Sequence, residues 1–287
     1  MYVEHFHMRA LPFSLTPNTA FTYEHGGHRE ALNVLLVALR SGEGFVKVVG
    51  EVGTGKTLLC RSLLRALGDD FATAYMPHPP STGRGVQVAL AEELEIPDAG
   101  RIDAARLPQV IGRRLAELHA SGKRVVLVVD EAQALPSVAL EALRLLSNIE
   151  TEASKLLQIA LFAQPELEER LAHSGLRQLR QRISFSYRLR TLDRTRLAGY
   201  VRSRLRAAGC ARVTLFSPRA LDGLHRASGG VPRLVNVLCH KALLDAFGRG
   251  DARVESSHVR RAVRDTDSAR TPLRQRLARG LGWETWT

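Results

Sequence analysis

The chain has 287 residues, of which 45% are hydrophobic, so it can bury a sizeable core in one large domain or two smaller ones. No apolar run approaches the ~20 residues that a membrane-spanning helix needs, and the N-terminus has no signal-peptide pattern. Its three cysteines lack the spacing of disulfides or metal ligands, as is usual in a reducing compartment. These observations predict a cytoplasmic protein and leave attachment to a membrane surface open.

The formal net charge of +12 is confined to the last third of the chain. Residues 1–189 hold 21 Lys and Arg against 21 Asp and Glu, whereas residues 190–287 hold 20 against 8. Such a bias indicates an anionic partner, either nucleic acid or an anionic lipid surface. The alternative is an arginine-rich face that contacts only solvent.

Strand and helix patterns alternate along the first 190 residues. A turn-rich stretch over residues 10–24 leads into the first long helix pattern. The predicted strands cover residues 45–49, 71–76, 124–129, 156–163 and 183–189. The predicted helices cover residues 28–40, 57–64, 86–95, 103–120, 137–149, 165–173 and 176–181. Strands separated by helices predict a parallel sheet with right-handed crossovers.

The pattern becomes wholly helical near Leu192. Helices are predicted over residues 193–208, 217–227, 232–247 and 256–264. Ser217 followed by Pro218 is typical of a helix start, and Gly209 of a helix end. The sequence therefore predicts an α/β domain over residues 1–191, a small all-helical domain over residues 192–266 and a basic tail over residues 267–287.

Leucines recur every four residues in the tail, at Leu273, Leu277 and Leu281, and Trp283 and Trp286 lie beyond them. On a helix these leucines form one apolar stripe flanked by arginines. Such a segment suits a membrane interface or a groove in a partner protein. The alternative is that the stripe packs on the helical domain of its own chain.

The segment between the first predicted strand and the following helix is a complete phosphate loop. Its glycines allow successive backbone N–H groups to point at phosphate oxygens, and the helix that follows presents its N-terminus to the anion. Lys56 is expected to reach the β- and γ-phosphates, and the Thr57 hydroxyl to bind Mg²⁺. The residues predicted to bind the nucleotide are Gly50, Glu51, Val52, Gly53, Thr54, Gly55, Lys56, Thr57 and Leu58.

An acidic pair, Asp130 and Glu131, follows the unbroken apolar strand at residues 124–129. Ligands of parallel α/β sheets bind at the carboxyl ends of the strands, so the pair is expected close to the phosphate loop. We expect Asp130 to hold Mg²⁺ and Glu131 to orient and polarise the attacking water. The alternative is that the pair only caps the next helix.

Several polar side chains are candidates for contacts with the γ-phosphate. Gln164 ends the fourth predicted strand, where it is either a partner of the water or γ-phosphate or a simple loop residue. Arg177, Arg180 and Arg182 precede the fifth strand, and an arginine from outside the pocket can stabilise the charge of phosphoryl transfer. Arg233, at the start of a helix in the second domain, is a further candidate.

Together these motifs resemble those of AAA+ ATPases, and more narrowly those of the ExeA/GspA-type ATPases of secretion and pilus assembly. The resemblance covers residues 1–265, and within this group it points to the ATPases of mannose-sensitive haemagglutinin (MSHA) type IV pilus biogenesis. The segments that carry it are 1–6, Pro-Phe-Ser-Leu-Thr-Pro-Asn at 12–18, Gly-Phe at 44–45, the phosphate loop at 50–57, Asp-Glu-Ala-Gln at 130–133, Gln-Pro-Glu-Leu at 164–167, Leu-Arg-Gln-Arg-Ile at 179–183 and Gly-Val-Pro-Arg-Leu-Val-Asn at 230–236.

The resemblance implies a P-loop AAA+ fold with a small helical lid, which binds ATP and Mg²⁺ and hydrolyses ATP as a homo-oligomer, with a hexamer as one form. Lys56 and Thr57 would then contact the phosphates and Mg²⁺, with Asp130 and Glu131 as metal and water residues. By the same resemblance, Gln164 falls at the first sensor, Arg182 at the arginine finger that acts on a neighbouring subunit, and Arg233 at the second sensor.

The resemblance also implies partners among the inner-membrane assembly proteins of a type IV (MSHA-type) pilus or a type II secretion machine, with a peripheral place at the inner membrane. ExeA-type proteins continue into a transmembrane segment and a peptidoglycan-binding domain, which this sequence lacks, and we expect the shorter pilus type. The basic C-terminal third favours an alternative, a DNA-associated AAA+ regulator similar to transposition ATPase subunits. The intact Asp130-Glu131 pair argues against a third, a nucleotide-binding scaffold without turnover.

Overall fold

The computed structural model describes residues 2–14, 26–151 and 154–269. The leucine stripe predicted for the tail lies outside these residues. Among the described residues, no helix combines the length and the apolar character that crossing a bilayer requires. The three cysteines, Cys60, Cys210 and Cys239, are buried free thiols.

Apart from α1 (Tyr2–His5), which was not predicted, the helices and strands fall close to their predicted positions. They are α1 (Tyr2–His5), α2 (Gly26–Arg40), β1 (Phe45–Gly50), α3 (Lys56–Ala66), β2 (Phe71–Met76), α4 (Gly83–Glu93), α5 (Leu107–Ala120), β3 (Arg124–Val129), α6 (Ser137–Leu146), β4 (Leu157–Ala163), α7 (Glu166–Ala172), α8 (Arg177–Arg182), β5 (Ile183–Leu189), α9 (Arg194–Ala207), α10 (Pro218–Ser228), α11 (Pro232–Gly248) and α12 (Ser256–Arg264). Two compact units result, one over Gly26–Arg190 and one formed by residues 1–25 with 191–287.

The first unit is a parallel sheet between two layers of helices. Its described strands are ordered β2-β3-β4-β1-β5 and pair in parallel throughout. Side chains of β3 alternate between two cores, with Leu127 in the core under α4 to α8 and Val126 and Val128 in the core under α2 and α3. This alternation explains why β3 is an unbroken apolar run, and it confirms the predicted α/β class.

The strand order was not predicted from the sequence, and it decides where the polar residues meet. Strand β4 lies between β1 and β3, with Val49 opposite Ala163 and Leu161 opposite Val129. The carboxyl ends of the three strands are therefore side by side. The phosphate loop, Gln164 and the acidic pair each follow one of these ends.

The second unit contains α9 to α12, and residues 2–14 pack with it. Tyr2, Phe6 and Phe13 are buried in its core. The Tyr2 hydroxyl lies 2.9 Å from Nδ1 of His240, and Nε of the buried Arg204 donates to the Pro12 carbonyl at 2.7 Å. The predicted domain boundary placed this N-terminal segment in the α/β domain. The contacts correct that expectation, because the aromatic side chains of the segment find their apolar partners among the C-terminal helices.

Local signals in the second unit behave as predicted. The Ser217 side chain accepts a hydrogen bond from the Ala220 N–H at the start of α10. Gly209, with φ 77°, follows the end of α9. Gly230 has φ 76°, and a Cβ at this position would lie 2.0 Å from the Leu192 carbonyl oxygen. The backbone approach at Gly230 therefore excludes any side chain.

Candidate nucleotide site

The loop between β1 and α3 is a tight turn that depends on glycine. Gly53 and Gly55 have φ values of 79° and 97°, which few residues other than glycine adopt. The buried Thr54 hydroxyl donates to the Glu51 carbonyl at 2.7 Å and closes the turn. A Cβ on Gly55 would lie 2.7 Å from Nε2 of His28, a residue of α2. Position 55 thus requires glycine for both its backbone and its packing.

Lys56 occupies the inside of this loop. Its side chain is only 5% exposed, and Nζ donates to the carbonyls of Gly50 at 2.8 Å and Glu51 at 3.2 Å. Burial lowers the pKa of Lys56, and the charges of Glu131 and Asp130 offset part of that effect. An ammonium held by the carbonyls of a glycine-rich loop has the setting of a phosphate-binding lysine.

Thr57 and Asp130 bring two hard oxygen donors together. The Thr57 hydroxyl donates to Oδ2 of Asp130 at 2.7 Å, and Asp130 is 3% exposed. The other carboxylate oxygen accepts the Glu131 N–H at 2.9 Å. A hydroxyl beside a carboxylate next to a phosphate cradle is the donor set that Mg²⁺ takes in such sites. The residues present therefore fit the metal that the sequence predicts.

Glu131 is held by two side-chain amides. Its backbone is left-handed, with φ 52°, at the start of a short 3₁₀ turn over Ala132–Ala134. Nε2 of Gln133 and Nε2 of Gln164 both donate to the same oxygen, Oε2, the second at 3.1 Å. The Gln164 N–H donates to Oε1 of Gln133 at 3.0 Å, which sets the orientation of the Gln133 amide. The two amides thus hold Oε2 of Glu131 in place, and neither of them donates to the other carboxylate oxygen, Oε1.

The electrostatic surroundings keep Glu131 ionised. Burial by itself raises the pKa of its carboxyl. Hydrogen bonds from Gln133 and Gln164 and the charges of Lys56 and His78 outweigh burial and lower the pKa below its usual value. A carboxylate in this state can accept a proton from water near neutral pH.

The turn that carries Gln133 is anchored from α7. Arg170 donates through Nη1 to the Gln133 carbonyl at 2.7 Å and through Nη2 to the Leu135 carbonyl. Sequence reasoning assigned no role to Gln133, Arg170 or His28. Gln133 could have been found through its place in the Asp-Glu-Ala-Gln motif, whereas nothing in the local sequence distinguishes Arg170 or His28.

Of the two predicted arginines, Arg182 lies apart from this cluster within the same unit. Arg182 ends α8 directly before β5, whose first residue, Ile183, pairs with Phe45 at the start of β1. Arg182 therefore lies near the amino ends of the strands, whereas its own phosphate loop follows the carboxyl end of β1. It is half-buried, and its Nη1 donates to Oγ of Ser147 at 2.9 Å. Arg233 belongs to the second unit, where it is exposed in the first turn of α11.

The P-loop AAA+ class is defined by a parallel sheet in this order, with a phosphate loop after β1, an acidic pair after β3 and a polar side chain after β4. Residues 39–171 match the family model described as an AAA domain. Over its whole length the chain is 41% identical to general secretion pathway protein A of Aeromonas hydrophila. The chain is therefore an AAA+ protein of the ExeA/GspA type, which confirms this part of the resemblance seen in the sequence. It spans 54% of the length of that relative.

Solved structures share the fold at low sequence identity. Cdc6p from Pyrobaculum aerophilum aligns with a TM-score of 0.64 and 16% identity over 87% of this chain and 71% of its own. The Aeropyrum pernix ORC2 protein in its ADPNP–ADP complexes gives 0.62 and 18% over 92% and 75%. The Thermotoga maritima RuvB Holliday junction branch migration motor gives 0.55 and 15% over 93% and 79%. These likenesses confirm the predicted AAA+ fold.

Proposed function

We propose that the chain binds Mg²⁺-ATP at its phosphate loop and hydrolyses it as a self-associating ATPase. The observation that carries this proposal is the cluster of Lys56, Thr57, Asp130, Glu131 and Gln164 beside three adjacent strand ends. The cluster joins a buried cation, an oxygen donor pair and an ionised carboxylate. These are the parts that phosphoryl transfer to water requires.

Each side chain of the cluster has a separate role in this proposal. Lys56 binds the β- and γ-phosphates, and Thr57 and Asp130 would hold Mg²⁺. Magnesium, when bound, neutralises charge on the phosphate oxygens. Because both amides donate to Oε2 of Glu131, its Oε1 is the oxygen left to accept the proton of the attacking water. Gln164 contacts Glu131 directly and orients it.

We place Arg182 at the nucleotide of a neighbouring subunit. Arg182 lies near the amino ends of the strands, away from the phosphate loop of its own chain. This position supports a role for Arg182 at the nucleotide pocket of another subunit. Such an arginine stabilises the charge on the transferred phosphoryl group, and hydrolysis then depends on self-association, with a hexamer as one form. Arg233 is proposed as the second sensor, a further cation for the nucleotide of its own chain.

In the cell, we propose that this ATPase supports assembly of a type II secretion machine or a type IV (MSHA-type) pilus. The 41% identity to general secretion pathway protein A supports the secretion-related role. The resemblance of the sequence motifs to those of MSHA ATPases supports the pilus. Inner-membrane assembly proteins are the proposed partners, with a cytoplasmic, peripheral place at the inner membrane. The basic C-terminal third supports contact with an anionic membrane surface.

A DNA-associated role is the second candidate. The observation that favours it is the net charge of +12, all of it within residues 190–287. A basic surface of this size attracts phosphate backbones as well as acidic proteins. Binding of duplex DNA to the full chain at physiological salt would support this role over the first.

Two substitutions separate nucleotide binding from turnover. Lys56→Ala is expected to abolish binding of a fluorescent ATP analogue, because it removes the buried cation of the loop. Glu131→Gln is expected to bind the analogue as tightly as the wild type and to lose ~10²–10⁴ in phosphate release, as removal of a positioned base does. Glu150→Gln, an exposed carboxylate elsewhere on the unit, is the control. Wild-type turnover by Glu131→Gln would refute the role assigned to Glu131.

A further inference from the structure

Helices α10 and α12 border a groove of about 450 Å³ in the helical unit. Its apolar floor includes Ala227, Val259 and Val263. Four exposed arginines form its rim, two from each helix: Arg219, Arg226, Arg260 and Arg264. We call this feature the arginine groove.

The two helices that form the arginine groove are closely packed. A Cβ on Gly223 of α10 would lie 3.3 Å from Cγ1 of Val259 on α12, and Val259 is only 2% exposed. Glycine thus permits the close crossing of the helices, and the valine fills the space beneath it. The packed core therefore fixes the backbone positions that carry the rim arginines, since protein interiors deform little.

Within the described part of the chain, none of the four rim arginines has a hydrogen bond or an ion pair. Neighbouring arginines of the same unit do have partners. Arg194 pairs with Asp222, and Arg249 and Arg261 share Asp245. Arg226 contributes to the field that lowers the pKa of Asp222, but the carboxylate itself is hydrogen-bonded to Arg194. The rim of the groove thus brings together four guanidinium groups that form no ion pair with any described carboxylate.

We propose that the arginine groove binds an acidic peptide segment of a partner protein, with carboxylates on the four guanidiniums and apolar side chains on the floor. Guanidinium groups bind carboxylates through paired hydrogen bonds, and short peptides commonly lay an apolar face in a groove between helices. The interaction is independent of ATP hydrolysis. It gives the basic surface of the helical unit a partner of defined chemistry.

Two other occupants fit the groove less well. A phosphate backbone would satisfy the rim, but it would place charged groups against Ala227, Val259 and Val263. The tail of this chain, residues 270–287, carries four arginines and one glutamate, so its charge repels the rim. The positive charge of the rim and the apolar floor together favour an acidic amphipathic segment as the occupant of the groove.

The experiment uses the full chain and a fluorescein-labelled peptide of about 16 glutamate and leucine residues, with leucine at every third or fourth position. Fluorescence anisotropy at physiological salt is expected to show saturable binding. The double variant Arg219→Glu/Arg260→Glu should weaken binding at least about tenfold through charge reversal. The matched control, Arg202→Glu/Arg206→Glu, makes the same charge change on exposed residues of α9 and should bind within about twofold of the wild type.

A scrambled peptide of the same composition separates groove binding from attraction between opposite charges. It lacks the leucine stripe and should bind about tenfold more weakly if the apolar floor contributes. Equal binding of the two peptides, or equal losses in the two double variants, would overturn the proposal. So would duplex DNA that displaces the peptide and loses affinity only in the groove variant, because the site would then be one for phosphate. Should the charge-reversed variant not fold, Arg219→Gln/Arg260→Gln replaces it.

Discussion

Glu131 holds a backbone conformation that costs a residue other than glycine of order 1 kcal/mol or more. The surrounding contacts offset that cost. Asp130 accepts its N–H, and the amides of Gln133 and Gln164 both bind its Oε2. The direction of the carboxylate is therefore set by residues at the ends of two different strands, and Gln133 is the residue that links them.

Gln133 gives a sharp test of this arrangement. Gln133→Leu removes one donor to Glu131 and the acceptor of the Gln164 N–H, without touching the phosphate loop. We expect kcat for ATP hydrolysis to fall by roughly 10–100-fold, with little change in KM, because the carboxylate loses its positioning. Gln178→Leu, on the exposed face of α8, is the control and should have wild-type kinetics.

Gln133→Glu distinguishes the two functions of the amide. A carboxylate at this position can still accept the Gln164 N–H, but it repels Glu131 instead of donating to it. We expect kcat to fall at least as far as in Gln133→Leu. A wild-type kcat for Gln133→Glu would show that donation to Glu131 is not what positions it.

At this scale the sequence predicted the residues whose chemistry is local. Lys56, Thr57 and Asp130 were predicted because a phosphate loop and a strand-end acid each indicate their chemistry within a few residues, and the three side chains lie together in the structure. Arg170 and His28 were missed, because only the folding of the chain brings these distant helix residues next to the site. Arg170 reaches it from α7, and His28 reaches the loop from α2.

At the scale of elements, buried parallel strands were predicted best, because unbroken apolar runs are hard to misread. Strand β3 was predicted over residues 124–129 and is observed there. Helix ends were predicted less well. The helix predicted from residue 103 begins at Leu107, where Pro108 occupies the first turn, and α4 begins three residues early because the Thr82 side chain caps it.

Long-range packing could not be predicted from local patterns. The segment at residues 2–14 contributes Tyr2 and Phe13 to the core of the helical unit, although more than 200 residues separate Tyr2 from His240, its hydrogen-bond partner. The segment has no periodic pattern that indicates which part of the chain it packs against. Its aromatic content signals burial without indicating where.

Adjacent glycines test the element-scale packing. Gly229 and Gly230 both have positive φ, so alanine strains either backbone by ~1 kcal/mol. At Gly230 the added Cβ would also lie 2.0 Å from the Leu192 carbonyl oxygen, whereas at Gly229 no atom lies within 4 Å. We expect Gly230→Ala to lower the free energy of unfolding by ~3 kcal/mol or more, and Gly229→Ala by ~1 kcal/mol.

Urea denaturation of the two variants, followed by circular dichroism, measures the difference. A larger loss for Gly230→Ala supports the close approach to Leu192. Equal losses would mean that only the backbone conformation matters and that the contact is absent in solution.

At the scale of the whole molecule, we propose that a neighbouring subunit completes the site. The residues proposed to bind phosphate and activate water follow the carboxyl ends of the strands, whereas Arg182 lies near the amino ends. If Arg182 acts on the next subunit, ATP hydrolysis per chain should rise with protein concentration until association saturates. A finger arginine contributes ~10³–10⁵ in rate, so Arg182→Ala alone should be almost inactive.

Mixing two inactive variants tests the shared site most directly. Arg182→Ala retains Glu131, Glu131→Gln retains Arg182, and random assembly at equal amounts joins an intact pair at about one interface in four. We predict that the mixture recovers up to about a quarter of the wild-type rate of phosphate release. The double variant Glu131→Gln/Arg182→Ala mixed with Arg182→Ala should recover nothing. No recovery in the first mixture, with wild-type activity per chain independent of concentration, would contradict a site completed by a neighbouring subunit.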